Sequence, residues 1–256
     1  MAKVTFKICP YVGGSKSVKQ LRQDLETRLG HKVVTVPPDY IAVSNERIIN
    51  WGNSHYQAYQ KPGATNIRIF NSALAVQRSI NKISFFNCLD EYELPIPVWT
   101  INPDIARKWL GQGTTVFCRT QIAGRDGKGI VVASKPSDLV EAPLYTKLVP
   151  STREYRIFVF RQRAIYNLTK MSKPNANLAH PARTRENGWF YSMHQEVPVK
   201  APALAVAVCE VLGLDFCAVD ILFNAKTDKL TVLESNSAPG TRPSSRAVLI
   251  DAFLTS

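Results

Sequence analysis

Asp220, Glu234 and Asn236 offer oxygen donors at a spacing that a β-hairpin would gather on one face. They lie in Asp215 to Gly240, DFCAVDILFNAKTDKLTVLESNSAPG. Phe216 to Phe223 and Leu230 to Ser237 read as strands, with turn chemistry from Asn224 to Asp228 between them. Strand side chains alternate faces, so Ala218, Asp220 and Leu222 share one side, and Leu230, Val232, Glu234 and Asn236 share one side of the second strand. If Leu222 pairs with Val232, Asp220 lies across from Glu234, with Asn236 beyond it. Facing carboxylates repel, and their neighbours on that face are apolar, so a positive group should sit between them. Mg²⁺ suits this set, because it takes one or two carboxylates plus substrate phosphates. The plain alternative is an exposed hairpin with ordinary surface acids.

A second feature is basic. Ser151 to Arg185 holds Arg153, Arg156, Arg161, Arg163, Lys170, Lys173, Arg183 and Arg185 against the single acid Glu154. A third is the glycine-rich run Gly124-Arg125-Asp126-Gly127-Lys128-Gly129, between the β-rich Thr114 to Arg119 and the apolar Ile130 to Ala133. Such a loop can fold over phosphates and present backbone N–H groups. A strand follows it, so it is not a Rossmann loop, and a simple hairpin turn is the alternative. The earlier Gly13-Gly14-Ser15-Lys16-Ser17 lacks Walker spacing and reads as a plain turn.

Composition bounds the rest. A chain of 256 residues can bury a substantial core as one large domain or small lobes. No run approaches the roughly 20 apolar residues of a membrane span, and MAKVTFKICP lacks the apolar core of a signal peptide. Five scattered cysteines without CxxC spacing fit free thiols in a reducing, cytoplasmic setting. The four histidines make no ligand-like pair, which argues against zinc. The net charge of +12 favours anionic partners: nucleotides, phosphorylated or acidic substrates, or nucleic acid.

The elements that must position these groups follow in order. Val4 to Tyr11 reads as a strand. Val18, Leu21, Leu25 and Leu29 mark a helix closed by Gly30, and Lys32 to Val36 completes a βαβ unit. Arg47 to Trp51 is another strand. Asn71 to Leu94 is mainly helical, in two pieces that meet at Asn81-Lys82 and end at Leu94-Pro95-Ile96-Pro97. Val98 to Ile101 is extended, and Asn102-Pro103 starts a helix to Leu110. Leu144 to Val149, Glu154 to Phe160 and Arg163 to Thr169 are strands. Lys173 to Trp189 is loop, and a helix from Pro202 to Leu212 leads through Gly213 into the hairpin.

In this order NKISFFNCLDEYELPIP, VFCRTQIAGRDGKGI, LYTKLVPSTREYRIFV, the basic stretch with TRENGW, and AVDILF with LESNSAPG resemble the ATP-grasp superfamily over roughly residues 75 to 242. The nearest look is to small phage-encoded ATP-grasp proteins and, more distantly, to ligases that add glutamate to ribosomal proteins. The resemblance implies an α+β fold with two lobes gripping ATP between antiparallel sheets, behind a small N-terminal βαβ lobe. It divides the chain at 1–75, 76–149 and 150–256. Lys82 matches the first nucleotide-contacting lysine. Arg119 falls where the family usually has a second lysine, and its planar fork is not a point ammonium. Gly124, Gly127, Lys128 and Gly129 would cover the phosphates. Tyr145, Lys147 and Leu148 match the hinge whose backbone holds adenine, without the acid often found there. Glu154 matches a ribose-binding acid. Arg156, Lys170 and Arg185 fall at phosphate or acyl-phosphate contacts, with Arg183 able to exchange with Arg185. Asp220, Glu234 and Asn236 match ligands of Mg²⁺, with Mn²⁺ as the substitute. Arg242 could bind a substrate carboxylate or be a plain surface arginine.

The implied activity is an ATP- and Mg²⁺-dependent carboxylate–amine ligase working through an acyl phosphate on a small-molecule or peptide carboxylate and an amine. Phosphoryl transfer is mostly positioning and charge neutralisation, which these residue types supply. Two other readings use the same residues: a kinase that phosphorylates a hydroxyl, and a basic regulatory module that binds nucleotide or nucleic acid without catalysis. No helix-turn-helix or aromatic RNA-binding strand pair supports the last.

Overall fold

The computed structural model describes residues 4–11, 15–123, 127–193 and 196–256 of the chain. Three sheets organise them. The first is all parallel and joins β1 (Thr5–Pro10), β2 (Val34–Thr35), β3 (Glu46–Trp51) and β4 (Arg68–Phe70) in the order β2-β1-β3-β4. Helix α1 (Lys16–Leu29) connects β1 to β2, which gives the βαβ unit read from the sequence. Ser15 caps its first turn by accepting from Val18 N–H, and Gly30 ends it in the left-handed conformation. Gly13 and Gly14 lie outside the described residues.

Helices α2 (Ala73–Ile80) and α3 (Lys82–Glu91) meet at Asn81, whose side chain accepts from Ile83 and Ser84 N–H and so starts α3 where α2 stops. The second sheet is antiparallel. It holds β5 (Trp99–Thr100), β6 (Val116–Arg119), β7 (Ile130–Ala133) and β8 (Leu144–Lys147) in the order β5-β8-β6-β7. Helix α4 (Pro103–Gly111) packs on it, with Asn102 as cap and Pro103 in the first turn.

The third sheet carries the candidate site. It contains β9 (Arg153–Phe160), β10 (Arg163–Ser172), β11 (Trp189–Met193), β12 (Phe216–Asn224) and β13 (Lys229–Asn236), antiparallel in the order β11-β10-β9-β12-β13. Tyr155, Ile157, Val159, Val219, Ile221 and Val232 turn one face toward α3 and α5 (Lys200–Leu212) and form the largest apolar core. The opposite face holds the polar residues described below.

Helix α6 (Pro243–Leu254) is absent from the sequence reading, as are β4 and β11. Its Leu249, Ile250 and Phe253 share a core with Leu21 and Leu25 of α1, with Phe70, and with Phe160 and Phe216 of the third sheet. Arg246 donates to Asp24 at 2.7 Å, and Arg28 pairs with Asp251, so α1 and α6 are tied by charge as well as packing.

The hairpin register corrects one expectation. Leu222 faces Thr231 and Ile221 faces Val232, while Asp220 faces Glu234. A bulge at Leu233 makes up the difference. Leu230 and Val232 therefore turn to the apolar core, and Glu234 turns to the other face. The proposed Leu222–Val232 pairing is off by one residue, and the extra residue restores the opposition of the two acids.

Candidate functional site

Alternation places Glu154 and Arg156 of β9, Lys170 of β10, Tyr191 of β11, Asp220 of β12 and Glu234 of β13 together on the face opposite the main core. Arg156 pairs across the ladder with Asp220, which pairs in turn with Glu234. The Arg156 guanidinium grips Asp220 as a two-pronged fork, Nε to Oδ1 and Nη2 to Oδ2, both at 2.7 Å. Lys82, in the first turn of α3, reaches Glu234 Oε2 at 2.8 Å. Asn236 Nδ2 stands 3.4 Å from Glu234 Oε1.

Next to this group lies a second. Lys170 Nζ donates to Glu154 Oε1 at 2.6 Å, and Tyr191 Oη donates to the same oxygen at 3.0 Å. Arg156 stacks on the Tyr191 ring at 4.1 Å, and Lys170 lies 4.9 Å from the same ring centroid.

Burial and charge oppose each other here. Asp220 is 3% exposed. Burial pushes its carboxyl up, while the Arg156 fork pulls it down, and Arg156 itself is held firmly charged against the cost of its own burial. Burial would also raise Glu234, but the charges of Lys82, Arg156 and Arg119 outweigh it and hold that carboxyl well below the usual range. Arg119, on β6, is lowered by burial and lifted back by Glu234. Its Nε is buried with no hydrogen-bond partner among the described residues. An anion arriving between the two sheets would supply the missing acceptor.

Other sequence-derived candidates fall around this centre or away from it. Gly127 and Gly129 have φ of +78° and +73°, and Gly127 lies so close to Thr184 that a Cβ there would run into the Thr184 methyl. The glycine-rich loop thus reaches the TRENGW stretch. Lys128 is exposed, and Gly124 lies outside the described residues. Tyr145 turns its hydroxyl to Ala142 N–H and Val140 C=O, inside the core of the second sheet. Lys147 places its ammonium 4.9 Å from the Trp109 ring centroid. The N–H groups of Lys147 and Leu148 donate to Val98 and Thr115 C=O. Arg183 donates to Ser151 C=O at 2.8 Å, and Arg185 is exposed. Arg242 starts α6, with its guanidinium 5.9 Å from the Phe190 ring centroid. Tyr191 is the residue at this centre that sequence reasoning missed. It follows a polar stretch read as loop, and only strand pairing with Lys170 shows where it points.

The donor set suits Mg²⁺. It is all oxygen, it lies on rigid strands, and each carboxylate oxygen has two lone pairs, so Asp220 can accept from Arg156 and still ligate. No group of three or more His, Cys, Asp or Glu is placed to hold a metal ion among the described residues. That leaves two acids and one amide, the sparse protein contribution expected where phosphates complete the coordination.

No protein-family model matches the sequence, and no curated protein does. Solved structures do. The ATP-grasp ligase PsnB complexed with minimal precursor, Mg and ADP matches at a TM-score of 0.67 and 15% identity, over 100% of this chain and 98% of that one. D-alanyl-alanine synthetase A from Vibrio cholerae O1 biovar eltor matches at 0.67 and 12%, over 100% and 98%. Macrocyclase MdnC from Microcystis aeruginosa, bound with precursor peptide MdnA, matches at 0.66 and 12%, over 99% and 100%. The chain has the ATP-grasp fold.

Proposed function

We propose that this ATP-grasp chain is an ATP- and Mg²⁺-dependent ligase that joins a carboxylate to an amine through an acyl phosphate. The observation that carries the reading is the opposition of Asp220 and Glu234 on one sheet face, ringed by Lys82, Arg119, Arg156 and Lys170. Five cationic or amide groups around two acids leave a site suited to a polyphosphate. PsnB was solved with Mg, ADP and minimal precursor, and MdnC with a precursor peptide. We take a peptide carboxylate as the substrate class on that basis.

In this reading Asp220, Glu234 and Asn236 hold Mg²⁺, which neutralises phosphate charge when bound. Lys82 and Arg119 approach the nucleotide phosphates from α3 and β6. Gly127, Lys128 and Gly129 cover them, and Glu154 binds ribose. The backbone of Tyr145 to Leu148 borders adenine, with the N–H groups of Lys147 and Leu148 engaged by Val98 and Thr115 C=O. Arg156, Lys170 and Arg185 steady the transferring phosphoryl group, and Arg242 receives the substrate carboxylate. A carboxylate oxygen attacks the γ phosphorus and ADP leaves. The amine then attacks the acyl carbon, phosphate leaves, and the nitrogen gives up a proton to solvent. The approach of the glycine loop to Thr184 limits water at the acyl phosphate. The division at 1–75, 76–149 and 150–256 belongs to the same proposal, as does the use of the first lobe to back the substrate side.

The test is ADP release from ATP when acidic peptides and amines are supplied together, with Glu234→Ala as control. The expected result is release that depends on both substrates and Mg²⁺, lost in the variant. Unchanged turnover in Glu234→Ala overturns the assignment, and a stable phosphorylated hydroxyl product selects the kinase reading.

A further inference from the structure

Tyr191 has no role in the site as assigned so far, yet it touches three of that site's charged residues. It lies on the edge strand β11, opposite Lys170. One face of its ring carries the Arg156 guanidinium at 4.1 Å, and Lys170 Nζ lies 4.9 Å from its centroid. Its hydroxyl donates at 3.0 Å to Glu154 Oε1, the oxygen that also takes Lys170 at 2.6 Å. The ring and the hydroxyl therefore do different work. The ring's negative face holds the guanidinium above it, and the two bonds to Asp220 fix the rotation of that group. The hydroxyl supplies Glu154 with a neutral donor, so that a single oxygen is held from two directions.

We infer that Tyr191 is a positioning residue that locks the phosphate-side Arg156 and the ribose-side Glu154 into one rigid unit, so that the nucleotide is read at both ends by parts that cannot move independently. The inference rests on the nucleotide reading above. It goes beyond that reading by assigning the coupling to a tyrosine that makes no contact with ligand. Burial first, then the charges of Asp220 and Glu154, raise the tyrosine's ionisation well beyond its ordinary value against the opposing charge of Arg156, so the hydroxyl stays a donor.

The experiment measures the affinity of Mg²⁺·ADP and Mg²⁺·AMPPNP for the full chain by calorimetry, in wild type, Tyr191→Phe, Tyr191→Leu and Tyr191→Met. Phe keeps the ring and loses the hydroxyl, so both nucleotides should weaken together, by about tenfold to a hundredfold for one lost hydrogen bond to a charged group. Leu and Met lose the ring as well. They should weaken the γ-phosphate analogue further, by about a further tenfold relative to ADP, from the freed guanidinium. Thermal melts identify any variant that does not fold, and Met serves where Leu fails. An equal loss for both nucleotides in Phe, Leu and Met marks a merely structural tyrosine and overturns the inference. Wild type that binds neither nucleotide overturns the nucleotide reading and this inference with it. Wild type that binds both while Leu and Met keep an unchanged ratio overturns the inference alone.

Discussion

Lys82, at the start of α3, meets Glu234, 152 residues later on β13, through a 2.8 Å ion pair. This contact pins α3 to the third sheet. Lys82 is nearly buried, while the Glu234 side chain keeps 32% of its surface exposed. Solvent screening therefore reduces what the pair contributes. Lys82→Met should cost about 1–2 kcal/mol at pH 7, between the values for surface and buried pairs. The sign of the pH dependence is set by the depressed carboxyl. Its stabilisation is full above the ordinary value of 4.5 and is lost as pH falls through the lower folded value. Urea unfolding at pH 7 and at pH 3 should show the wild-type advantage shrinking on the acid side.

The Arg156–Asp220 fork is buried on both sides, at 15% and 4% side-chain exposure. Removing one partner strands the other. Asp220→Ala should cost about 3–5 kcal/mol, and the double change Asp220→Leu with Arg156→Met should recover more than half of it. Denaturant midpoints of Asp220→Ala, of the singles Asp220→Leu and Arg156→Met, and of the double variant check this. A loss that is simply additive would show that the two groups do not depend on each other.

Gly52 closes the turn after β3 at φ +75°, and a Cβ there would stand 2.7 Å from Ala238 Cβ. Gly63 has nearly the same φ, +77°, with nothing within 4 Å of such a Cβ. Alanine at Gly63 should cost about 1 kcal/mol from backbone strain alone. Alanine at Gly52 should cost about 1–3 kcal/mol more, because the Ser237–Gly240 segment must also shift. In the ligase assay only Gly52→Ala should lower turnover, since that segment follows directly on Asn236.

Gly127→Ala should impair ATP turnover by at least about tenfold, by driving the glycine loop off Thr184. Thr184→Ser removes the Cγ2 methyl that the new Cβ would strike. The double variant should regain much of the lost rate and still bear the strain of φ +78°. Single-turnover ADP formation in the four proteins reads this directly.

The legible and illegible parts of the chain divide on physical grounds. Capped helices were readable: Asn102-Pro103 and Gly30 mark α4 and α1 through local hydrogen bonds that need no tertiary context. Two-residue periodicity gave the facing of Asp220 and Glu234 only through a Leu222–Val232 pair that does not form. The bulge at Leu233 that restores the facing was not readable, because an inserted residue leaves no mark in an apolar run that can face either way. Helix α6 hid because its buried stripe includes Ser245, satisfied by the backbone of Arg242, and Arg246, whose burial makes sense only beside Asp24 and Gln20 of α1. Strand β11 hid because β10 creates it by pairing, and Tyr191 was lost with it.

The clasp between α1 and α6 sets an order of events for the nascent chain. Leu21, Leu25 and Phe70 belong to a core that Phe253 completes, so the first parallel sheet leaves synthesis with an open apolar side. After its last strand is made it must wait for about 170 more residues before its cover, α6, begins. A ribosome stalled before Pro243 would hold a chain in which Leu21, Leu25 and Phe70 of the opening segment, with Phe160 and Phe216 of the third sheet, still lacked Phe253, which makes that shared core the part that most needs chaperoning.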